Sequence, residues 1–521
     1  MDAMEQLTTL LAAAKKLNIK RLDQLKRKFC SETKFPLPQN SEILAAYKKM
    51  VATKKMQANQ MLEHFLIKRK IRTLSGVAPI AVLTKPYPCP GKCAYCPNEK
   101  EMPKSYLSNE PAVMRAMRSN FDPYKQTALR IDALEAIGHV TDKIELIIMG
   151  GTFTHFPKKY QQWFVKRCFD ACNQKTSANL KIAQKKNEKT QHRIIGLTLE
   201  TRPDHINTKT IQQFRMLGCT KVEIGVQTLD NKILSLNKRG HTIEQVINAT
   251  KLLKDAGFKV AYHWMPNLPG STLRKDLLMY KKLFSDERFQ LDMIKIYPTV
   301  VTKNCLLYKW WKQGKYKPYS QKTLFNLLLK MKLATPQYVR IIRLIRDIPA
   351  KSIEAGNKIS NLRCTLQETL AKQGKQCSCI RCREARTNIA NIHKAKLFFK
   401  KYRASDGIEY FIHYSSPNQK ILYAFCRLRL NKTFVQDPLP ALKNAAIIRE
   451  LHTYGQTLAI NQLNQQSAQH IGFGKKLMAN VEKIAKENGY KQMAVISGIG
   501  VREYYKKLGY RIKGTYMVKQ L

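Results

Sequence analysis

The sequence lacks the features of a membrane or secreted protein. No run of apolar residues is long enough to span a bilayer. The N-terminal residues also lack the apolar core of a signal peptide. These two absences predict a soluble protein that stays in the cytoplasm and has no membrane partner.

Acidic residues are scarce. The chain has 37 Asp and Glu residues against 92 Lys and Arg residues, which gives a net charge of +55. A field of this sign attracts polyphosphates and makes their binding depend on salt. Nucleic acid is therefore the first interpretation, and a general lysine enrichment in the source proteome is the alternative.

Paired cysteines of a disulfide framework are not evident either. The 13 cysteines are an odd number and most are scattered. Two tight groups are the exception, and in a reducing compartment such groups indicate metal sites rather than disulfides. The scattered cysteines, interpreted as ordinary buried residues, are Cys30, Cys168, Cys172, Cys219, Cys305 and Cys426.

Cys89, Cys93 and Cys96 form the first group, with the spacing C-x3-C-x2-C and Tyr95 before the last cysteine. A 4Fe-4S cube usually takes four cysteine ligands. Three thiolates therefore leave one iron open, as a catalytic metal site leaves a position for its substrate. The open iron can hold S-adenosylmethionine, which an electron from the cluster cleaves to a 5′-deoxyadenosyl radical. The spacing indicates a radical-SAM enzyme that needs an external electron donor; a zinc knuckle or loose thiols are the alternatives.

The 521 residues are enough for two or three domains. Residues 1–75 are predicted to form a small helical module, since apolar residues such as Leu17 and Leu22 recur at helical spacing. Basic runs such as Lys26-Arg27-Lys28 occur there with few acids. We expect this module to bind nucleic acid through a basic face.

Residues 76–360 alternate between strand-like and helical segments. This alternation predicts a parallel α/β sheet, and the cysteine loop after the first strand makes it a partial TIM-like radical-SAM barrel. Functional residues of such a barrel lie at the carboxyl ends of the strands. The lysine-rich segment 174–192 is predicted to be an excursion from the barrel. Predicted strands are 144–149, 194–199, 222–226, 260–265, 293–297 and 339–345.

Candidate ligand-binding residues fall at the ends of these strands. Gly150 and Gly151 would let the backbone approach a ligand closely, and a similar pair meets the methionine end of the cofactor in radical-SAM enzymes. Glu200 and Gln227 would point into the barrel mouth, or Glu200 would form an internal salt bridge. Lys295 would serve a carbonyl or anionic ligand, or face solvent.

Residues 361–395 form a connector with the second cysteine group. Cys377, Cys379 and Cys382 offer three sulfurs within six residues. A tetrahedral structural zinc needs four ligands, and Cys364 or His393 would supply the fourth. Free thiols are the alternative, although a dense exposed cluster would be prone to oxidation.

Residues 396–521 are predicted to be a separate α/β domain. Gln469, Gly472 and Gly474 precede a predicted helix at 475–488 and resemble the Q/R-x-x-G-x-G/A turn of GNAT acetyltransferases. Backbone N–H groups at such a helix N-terminus receive the pyrophosphate of coenzyme A. The turn therefore predicts acetyl-CoA as a co-substrate.

Candidate catalytic residues of this domain lie on both sides of the turn. Tyr504 and Tyr505 fall on the helix expected near the thioester sulfur, where Tyr505 is the preferred proton donor. Both tyrosines could instead pack the domain. Glu450, His452 or Lys295 would then carry the hydrolytic role.

Together these motifs resemble the catalytic subunit of Elongator and its stand-alone prokaryotic relatives, the tRNA uridine(34) acetyltransferases. The combination of radical-SAM and GNAT motifs is highly specific to that family. The close spacing of Cys89 and Cys93 and the cysteine-rich connector resemble the prokaryotic branch, which argues against dependence on other Elongator subunits. The matching stretches include 89–97, 121–124, 149–153, 200–204, 223–227, 295–299, 346–349, 449–452 and 494–498.

The resemblance implies 5-carboxymethylation of the wobble uridine of tRNA. The deoxyadenosyl radical would take hydrogen from the methyl group of acetyl-CoA, the carbon radical would add to carbon 5 of uracil, and thioester hydrolysis would leave a carboxymethyl group. One alternative is a protein lysine acetyltransferase with a structural iron–sulfur cluster, and another is a non-catalytic tRNA-binding scaffold. The charge of +55 argues against the first, and the intact motifs argue against the second.

Overall fold

The structure, a computed structural model, describes residues 2–14, 16–67, 75–388, 391–431, 439–455 and 472–521. Gln469 of the predicted coenzyme A turn lies outside these ranges. No helix within them is both long and apolar enough to cross a membrane.

Leucines at helical spacing produce four helices near the N-terminus. Asn18 and Asn59 begin two of them, because their side chains accept hydrogen bonds from backbone N–H groups of the first turn. The helices enclose an apolar core that includes the predicted Leu17 and Leu22. They are α1 (Ala3–Ala12), α2 (Ile19–Thr33), α3 (Asn40–Ala52) and α4 (Gln60–Leu66).

The basic face of α2 is smaller than the sequence predicted. Lys26 is only 6% exposed, and its Nζ donates a hydrogen bond to Asn40 Oδ1 at 2.8 Å. Arg27 and Lys28 are exposed. Successive helical residues point about 100° apart, so a run of three bases cannot share one face. Of this run, Arg27 and Lys28 are left to contact a phosphate.

Seven parallel strands form the first sheet, in the order of the sequence. Within the described residues its first and last strands each pair on one side only, so the sheet is a partial barrel. The six predicted strands are confirmed, with ends that differ by at most two residues. The strands are β1 (Ala78–Leu83), β2 (Lys143–Met149), β3 (Arg193–Thr201), β4 (Lys221–Gln227), β5 (Lys259–Trp264), β6 (Met293–Ile296) and β7 (Arg340–Arg343).

Helices connect these strands and continue beyond them. The segment predicted as an excursion, 174–192, contains the helix α8 (Leu180–Asn187). This helix packs against α7 (Lys158–Cys172) and against residues 499–501 near the C-terminus. Although the segment is rich in lysine, one side of α8 is buried and includes Ala183 and Asn187. The helices are α5 (Pro111–Arg118), α6 (Pro123–Ala136), α7 (Lys158–Cys172), α8 (Leu180–Asn187), α9 (Thr208–Met216), α10 (Asn231–Leu236), α11 (Ile243–Asp255), α12 (Leu273–Ser285), α13 (Leu306–Lys312), α14 (Gln321–Ala334), α15 (Leu362–Lys372) and α16 (Ile380–Arg383).

The C-terminal residues form a second, mixed sheet of seven strands. Its strands are antiparallel except for one central parallel pair, β11 (Ala445–Thr453) with β12 (Gln492–Val495). The sequence did not predict β8, whose side chains are mostly exposed, nor the last two strands, β13 and β14. The elements are β8 (Lys396–Ala404), β9 (Gly407–Ser415), β10 (Leu422–Asn431), β11 (Ala445–Thr453), α17 (Phe473–Glu487), β12 (Gln492–Val495), α18 (Arg502–Lys506), β13 (Arg511–Lys513) and β14 (Tyr516–Gln520).

Buried ion pairs join the two sheets. Arg449 in β11 contacts Asp292 at 3.0 Å and Glu409 in β9 at 2.9 Å, and all three side chains are fully buried. Asp292 directly precedes β6. The second sheet therefore packs beneath the amino ends of the barrel strands, at the end opposite the cysteine loop. Removal of one partner would leave a buried charge uncompensated.

Candidate active site

One cavity of about 1410 Å³ runs through the lumen of the partial barrel. Side chains of a strand alternate between its two faces, and on β2 the apolar Ile144, Leu146 and Ile148 belong to the protein core. The other four residues of β2 line the cavity. Six steps of about 3.3 Å make this wall about 20 Å long. The cavity thus extends from the cysteine loop to the second sheet.

Cys89, Cys93 and Cys96 line the cavity at the carboxyl ends of the strands, which we call the mouth. The pKa of the Cys93 thiol is lowered to about 5, because Cys96 donates a hydrogen bond to it and because Arg239 and Arg202 lie nearby. Arg239 Nη1 donates to the Cys93 sulfur at 3.5 Å. The hydrogen bond between the two cysteines raises the pKa of Cys96, so these groups favour the thiolate at Cys93 in particular.

The cysteine loop fits an iron–sulfur cube better than a single zinc ion. Four sulfurs around one zinc at 2.3 Å would lie about 3.8 Å apart. The three sulfurs of Cys89, Cys93 and Cys96 do not all lie within 4.8 Å of one another. In a cube each cysteine binds its own iron, so wider separation is expected. A Cβ at Gly91 would lie 2.6 Å from Arg202 Nη1, so glycine lets the Arg202 guanidinium approach the cysteine loop.

The two glycines after β2, Gly150 and Gly151, have different surroundings. Gly151 lines the cavity with a φ of +87°, a backbone conformation that favours glycine. Gly150 is not among the cavity-lining residues, and a Cβ there would overlap Thr84 Oγ1. Gly150 therefore permits contact between the ends of β1 and β2, whereas Gly151 exposes its backbone to the cavity.

A buried polar cluster occupies the middle of the lumen. Lys295 Nζ contacts Glu223 directly and lies 3.5 Å from Glu200 Oε1. Tyr106 donates its hydroxyl to Glu200 Oε2 at 3.0 Å, and His263 Nε2 donates to Glu223 Oε2 at 3.1 Å. Burial alone would lower the pKa of Lys295, but the Glu223 carboxylate raises it. Lys295 is therefore a permanent cation and not a general base.

Sequence analysis missed Tyr106 and His263 as members of this cluster. His263 stands four residues after Lys259 on β5, and strand alternation alone could have placed it in the lumen. Tyr106 lies in an irregular loop, where no periodic pattern gives its direction. Gln227 was predicted at the mouth, and its buried Oε1 has no hydrogen-bond partner among the described residues. That atom can accept a hydrogen bond from a ligand.

The N-terminus of α17 opens onto the other end of the cavity. Gly472 and Gly474 both line it, and Gly472 has a φ of +78°. Among the described residues, no atom lies within 4 Å of a Cβ built at Gly472. The first N–H groups of a helix lack intrahelical partners and carry a partial positive charge. This end of the cavity is therefore suited to a phosphate.

Tyr504 and Tyr505 both line this end, in different positions. A Cβ at Gly474 would lie 2.9 Å from Tyr504 Oη, which places that hydroxyl beside the first turn of α17. Tyr505 is 6% exposed and packs edge-on against Tyr504 and Tyr510 at ring distances of 5.2 and 6.0 Å. Burial raises the pKa of Tyr504 to about 12, so its hydroxyl stays protonated. The geometry favours Tyr504 over Tyr505 as a donor to a ligand.

The two alternative hydrolytic residues line the cavity but have structural partners. Glu450 accepts a hydrogen bond from Arg427 Nε at 2.9 Å. His452 Nε2 donates to the carbonyl oxygen of Ser75 at 2.8 Å, and burial lowers the pKa of His452. Both side chains are thus held in place by protein contacts.

The second cysteine group is a compact site that does not line the cavity. The sulfurs of Cys377, Cys379 and Cys382 lie within 4.8 Å of one another. Of the two predicted fourth ligands, Cys364 is exposed, and among the described residues neither it nor His393 belongs to this group. The structure therefore assembles three of the predicted ligands without the fourth.

Two known sequence families match parts of the chain. Residues 87–280 match the Radical SAM superfamily, and residues 291–372 match the Radical_SAM C-terminal domain. The first match begins just before the cysteine loop. The fold and this loop define a radical SAM protein.

Three relatives cover most of the chain. The tRNA uridine(34) acetyltransferase of Methanocaldococcus infernus is 44% identical over 97% of this chain and 96% of its own length. That of Dehalococcoides mccartyi is also 44% identical, over 87% of this chain and its own full length. Human Elongator complex protein 3 is 38% identical over 91% of this chain and 89% of its own length.

A solved structure agrees with these relatives. The structure of Methanocaldococcus infernus Elp3 lacking its N-terminus has a TM-score of 0.74 and 42% identity, and it covers 86% of this chain and all of that chain. The chain therefore belongs to the family of the tRNA uridine(34) acetyltransferases and Elongator complex protein 3.

Proposed function

We propose that the protein forms 5-carboxymethyluridine at the wobble position of tRNA from acetyl-CoA. One observation carries the proposal: a single cavity joins the cysteine loop to the open N-terminus of α17. The relatives are named for acetyl transfer to uridine 34 of tRNA. A reaction that uses both ends of the cavity fits such a name better than one that uses either end alone.

At the mouth, Cys89, Cys93 and Cys96 would hold a 4Fe-4S cluster. When bound, the cluster and S-adenosylmethionine supply a radical that removes a hydrogen atom from the acetyl donor, with an electron from an external donor. Gly151 would present backbone groups to the cofactor. Gln227 Oε1 would accept a hydrogen bond from its amino group, since this buried oxygen has no described protein partner.

At the other end, the second sheet and α17 would form a GNAT domain that binds acetyl-CoA. The N–H groups of the first turn of α17 would receive the pyrophosphate; Gln469, which the sequence predicts to take part, lies outside the described residues. Tyr504 would donate a hydrogen bond to the thioester and support release of coenzyme A. Glu450 and His452 would shape the floor of the lumen between the two ends.

Lys295 would supply the positive charge between two carboxylates in the middle of the lumen. Its ammonium group lies between the carboxylates of Glu200 and Glu223. Tyr106 and His263 donate to the same carboxylates. This network would keep Glu200 oriented toward the mouth, where the uracil enters.

The remaining parts of the chain would serve RNA binding and stability. The N-terminal module, residues 1–75, would contact tRNA through exposed bases such as Arg27 and Lys28, in keeping with the net charge of +55. The connector, 361–395, would hold a structural zinc through its three clustered cysteines. A wobble base must leave its stack to reach the mouth, which single-stranded loops permit.

A protein lysine acetyltransferase is the weaker candidate. It would use only the end of the cavity near α17, and it would leave the cysteine loop and the polar lumen without a role in the reaction. Its substrate would carry the positive charge of a lysine, which a protein with a charge of +55 attracts less than it attracts RNA.

The direct test is anaerobic incubation with tRNA, dithionite, S-adenosylmethionine and acetyl-CoA, followed by nucleoside mass spectrometry. We expect 5-carboxymethyluridine only when all components are present. Cys93→Ala should abolish both S-adenosylmethionine cleavage and the product, while acetyl-CoA affinity stays unchanged. Absence of the modified nucleoside from the complete wild-type reaction would refute the proposal.

A further inference from the structure

Two clusters of aromatic and basic side chains flank the cysteine loop. The first aromatic cluster follows the ends of β1 and β2 and consists of Tyr87, Phe156, Tyr160 and Trp163. Its rings are stacked or tilted in series, with centroid distances of 4.5, 4.7 and 5.5 Å. Lys85 Nζ lies 5.2 Å from the centre of the Tyr160 ring. The series ends at Trp163, which is 44% exposed.

The second aromatic cluster is on α13 and consists of Tyr308, Trp310 and Trp311. The rings of Tyr308 and Trp311 lie 5.8 Å apart, and Lys312 Nζ lies 5.1 Å from the centre of Trp311. All three rings are partly exposed. This cluster therefore also offers aromatic faces beside a positive charge.

Both clusters are attached to the cysteine loop. Tyr87 lies two residues before Cys89. At the start of α13, the backbone N–H of Leu307 donates to the carbonyl oxygen of Ala94 at 2.8 Å. The clusters are thus held at fixed positions beside the mouth.

Packing explains part of each cluster: Phe156 belongs to the protein core, and the three rings on α13 pack against an apolar cluster that includes Cys93 and Tyr95. The chain has four tryptophans, and only Trp264 is fully buried. Trp163, Trp310 and Trp311 all lie in the two clusters. Single exposed apolar residues are common on protein surfaces, but the exposed Trp163 and the partly exposed rings on α13, each cluster with a lysine beside it, match a ligand with flat rings and negative charge.

We propose that the two aromatic clusters stack the nucleobases that neighbour the base entering the mouth. The proposal rests on the proposed function, because it takes a single-stranded RNA loop as the ligand. Exposed aromatic faces stack any base, and nearby basic groups follow the phosphates. The clusters would hold the loop open while one base enters the lumen.

Binding of a fluorescein-labelled anticodon stem-loop RNA to the full-length, cluster-loaded protein tests this role. Trp163→Ala and Trp311→Ala should each weaken binding about 10-fold, within the range that stacking on one aromatic side chain provides. The salt dependence should stay unchanged, since no charge is removed. Trp163→Phe should restore most of the affinity, because it keeps an aromatic face.

Two controls separate stacking from other effects. Phe399→Ala removes an exposed aromatic ring from β8, in the other sheet, and should leave binding unchanged. A fully paired RNA hairpin of equal length has no free bases to stack, so the tryptophan variants should bind it like the wild type.

The outcomes distinguish this proposal from the proposed function. If the wild type prefers the stem-loop and both tryptophan variants bind it equally well, the stacking role is overturned and the function stands. An equal loss of affinity for the paired hairpin would also overturn stacking. A wild type that shows no preference for the stem-loop would overturn both. Capture of a protein partner lost equally in Trp163→Ala and Trp163→Phe would assign the surface to that partner instead.

Discussion

Replacement of Lys295 by methionine tests the charge balance of the lumen. Lys295 is nearly buried and lies between Glu223 and Glu200, which are buried as well. Methionine keeps a similar length but removes the charge, and so leaves two carboxylates in a site that had one cation. Loss of one partner from a buried ion pair costs about 3–5 kcal/mol. We expect a decrease of this size in the free energy of unfolding at pH 7.

The stability difference between wild type and variant should depend on pH, because Lys295 affects the pKa of Glu223. In the wild type, burial raises the pKa of Glu223, but Lys295 and His263 lower it below the ordinary 4.5 overall. A lowered pKa contributes stability that is present above 4.5 and lost as the pH falls through the folded-state value. Without Lys295, burial dominates and the pKa of Glu223 rises. The difference between wild type and variant should therefore be largest near neutral pH and shrink toward pH 4.5.

Urea unfolding monitored by circular dichroism between pH 4.5 and pH 8 would measure this effect. Lys295→Met/Glu223→Gln should recover part of the loss, because it also removes one unpaired charge. Lys251→Met is the matched control: Lys251 is 34% exposed and pairs with Asp255 at 3.1 Å, and partly exposed pairs contribute only about 0–1 kcal/mol. Equal losses for the Lys295 and Lys251 variants, or a loss at position 295 that does not change with pH, would refute the reasoning.

Three further predictions concern other parts of the chain. Neutralising Arg27 and Lys28 should weaken tRNA binding and reduce the log–log salt slope by up to about 2; an unchanged slope measured by filter binding would place the RNA elsewhere. Tyr504→Phe should keep acetyl-CoA affinity but lose tRNA-stimulated release of coenzyme A, whereas Tyr505→Phe should lose less; the opposite order in a thiol-release assay would favour Tyr505. Protein freed of its iron should contain about one zinc per chain, and Cys364→Ala should retain it; zinc loss by mass spectrometry would make Cys364 the fourth ligand.

The sequence by itself determined the local chemistry of this protein. The spacing of Cys89, Cys93 and Cys96 is a property of one loop, and the glycines before α17 are a property of one helix N-terminus. Apolar runs predicted six of the seven barrel strands to within two residues at each end, since each strand must bury one face. Such features depend on neighbours in the chain, and neighbours are visible in the sequence.

Only the tertiary structure decided how these parts meet. It joined the two ends into one cavity, because the second sheet packs beneath the amino ends of the barrel strands through Asp292 and Arg449. It placed Tyr106 and His263 on the carboxylates of Glu200 and Glu223. It also buried Lys26, which the sequence had grouped with two exposed bases, since the direction of a helical side chain depends on what packs against the helix. Contacts between residues far apart in the chain are set by packing of whole elements, and no local pattern encodes them.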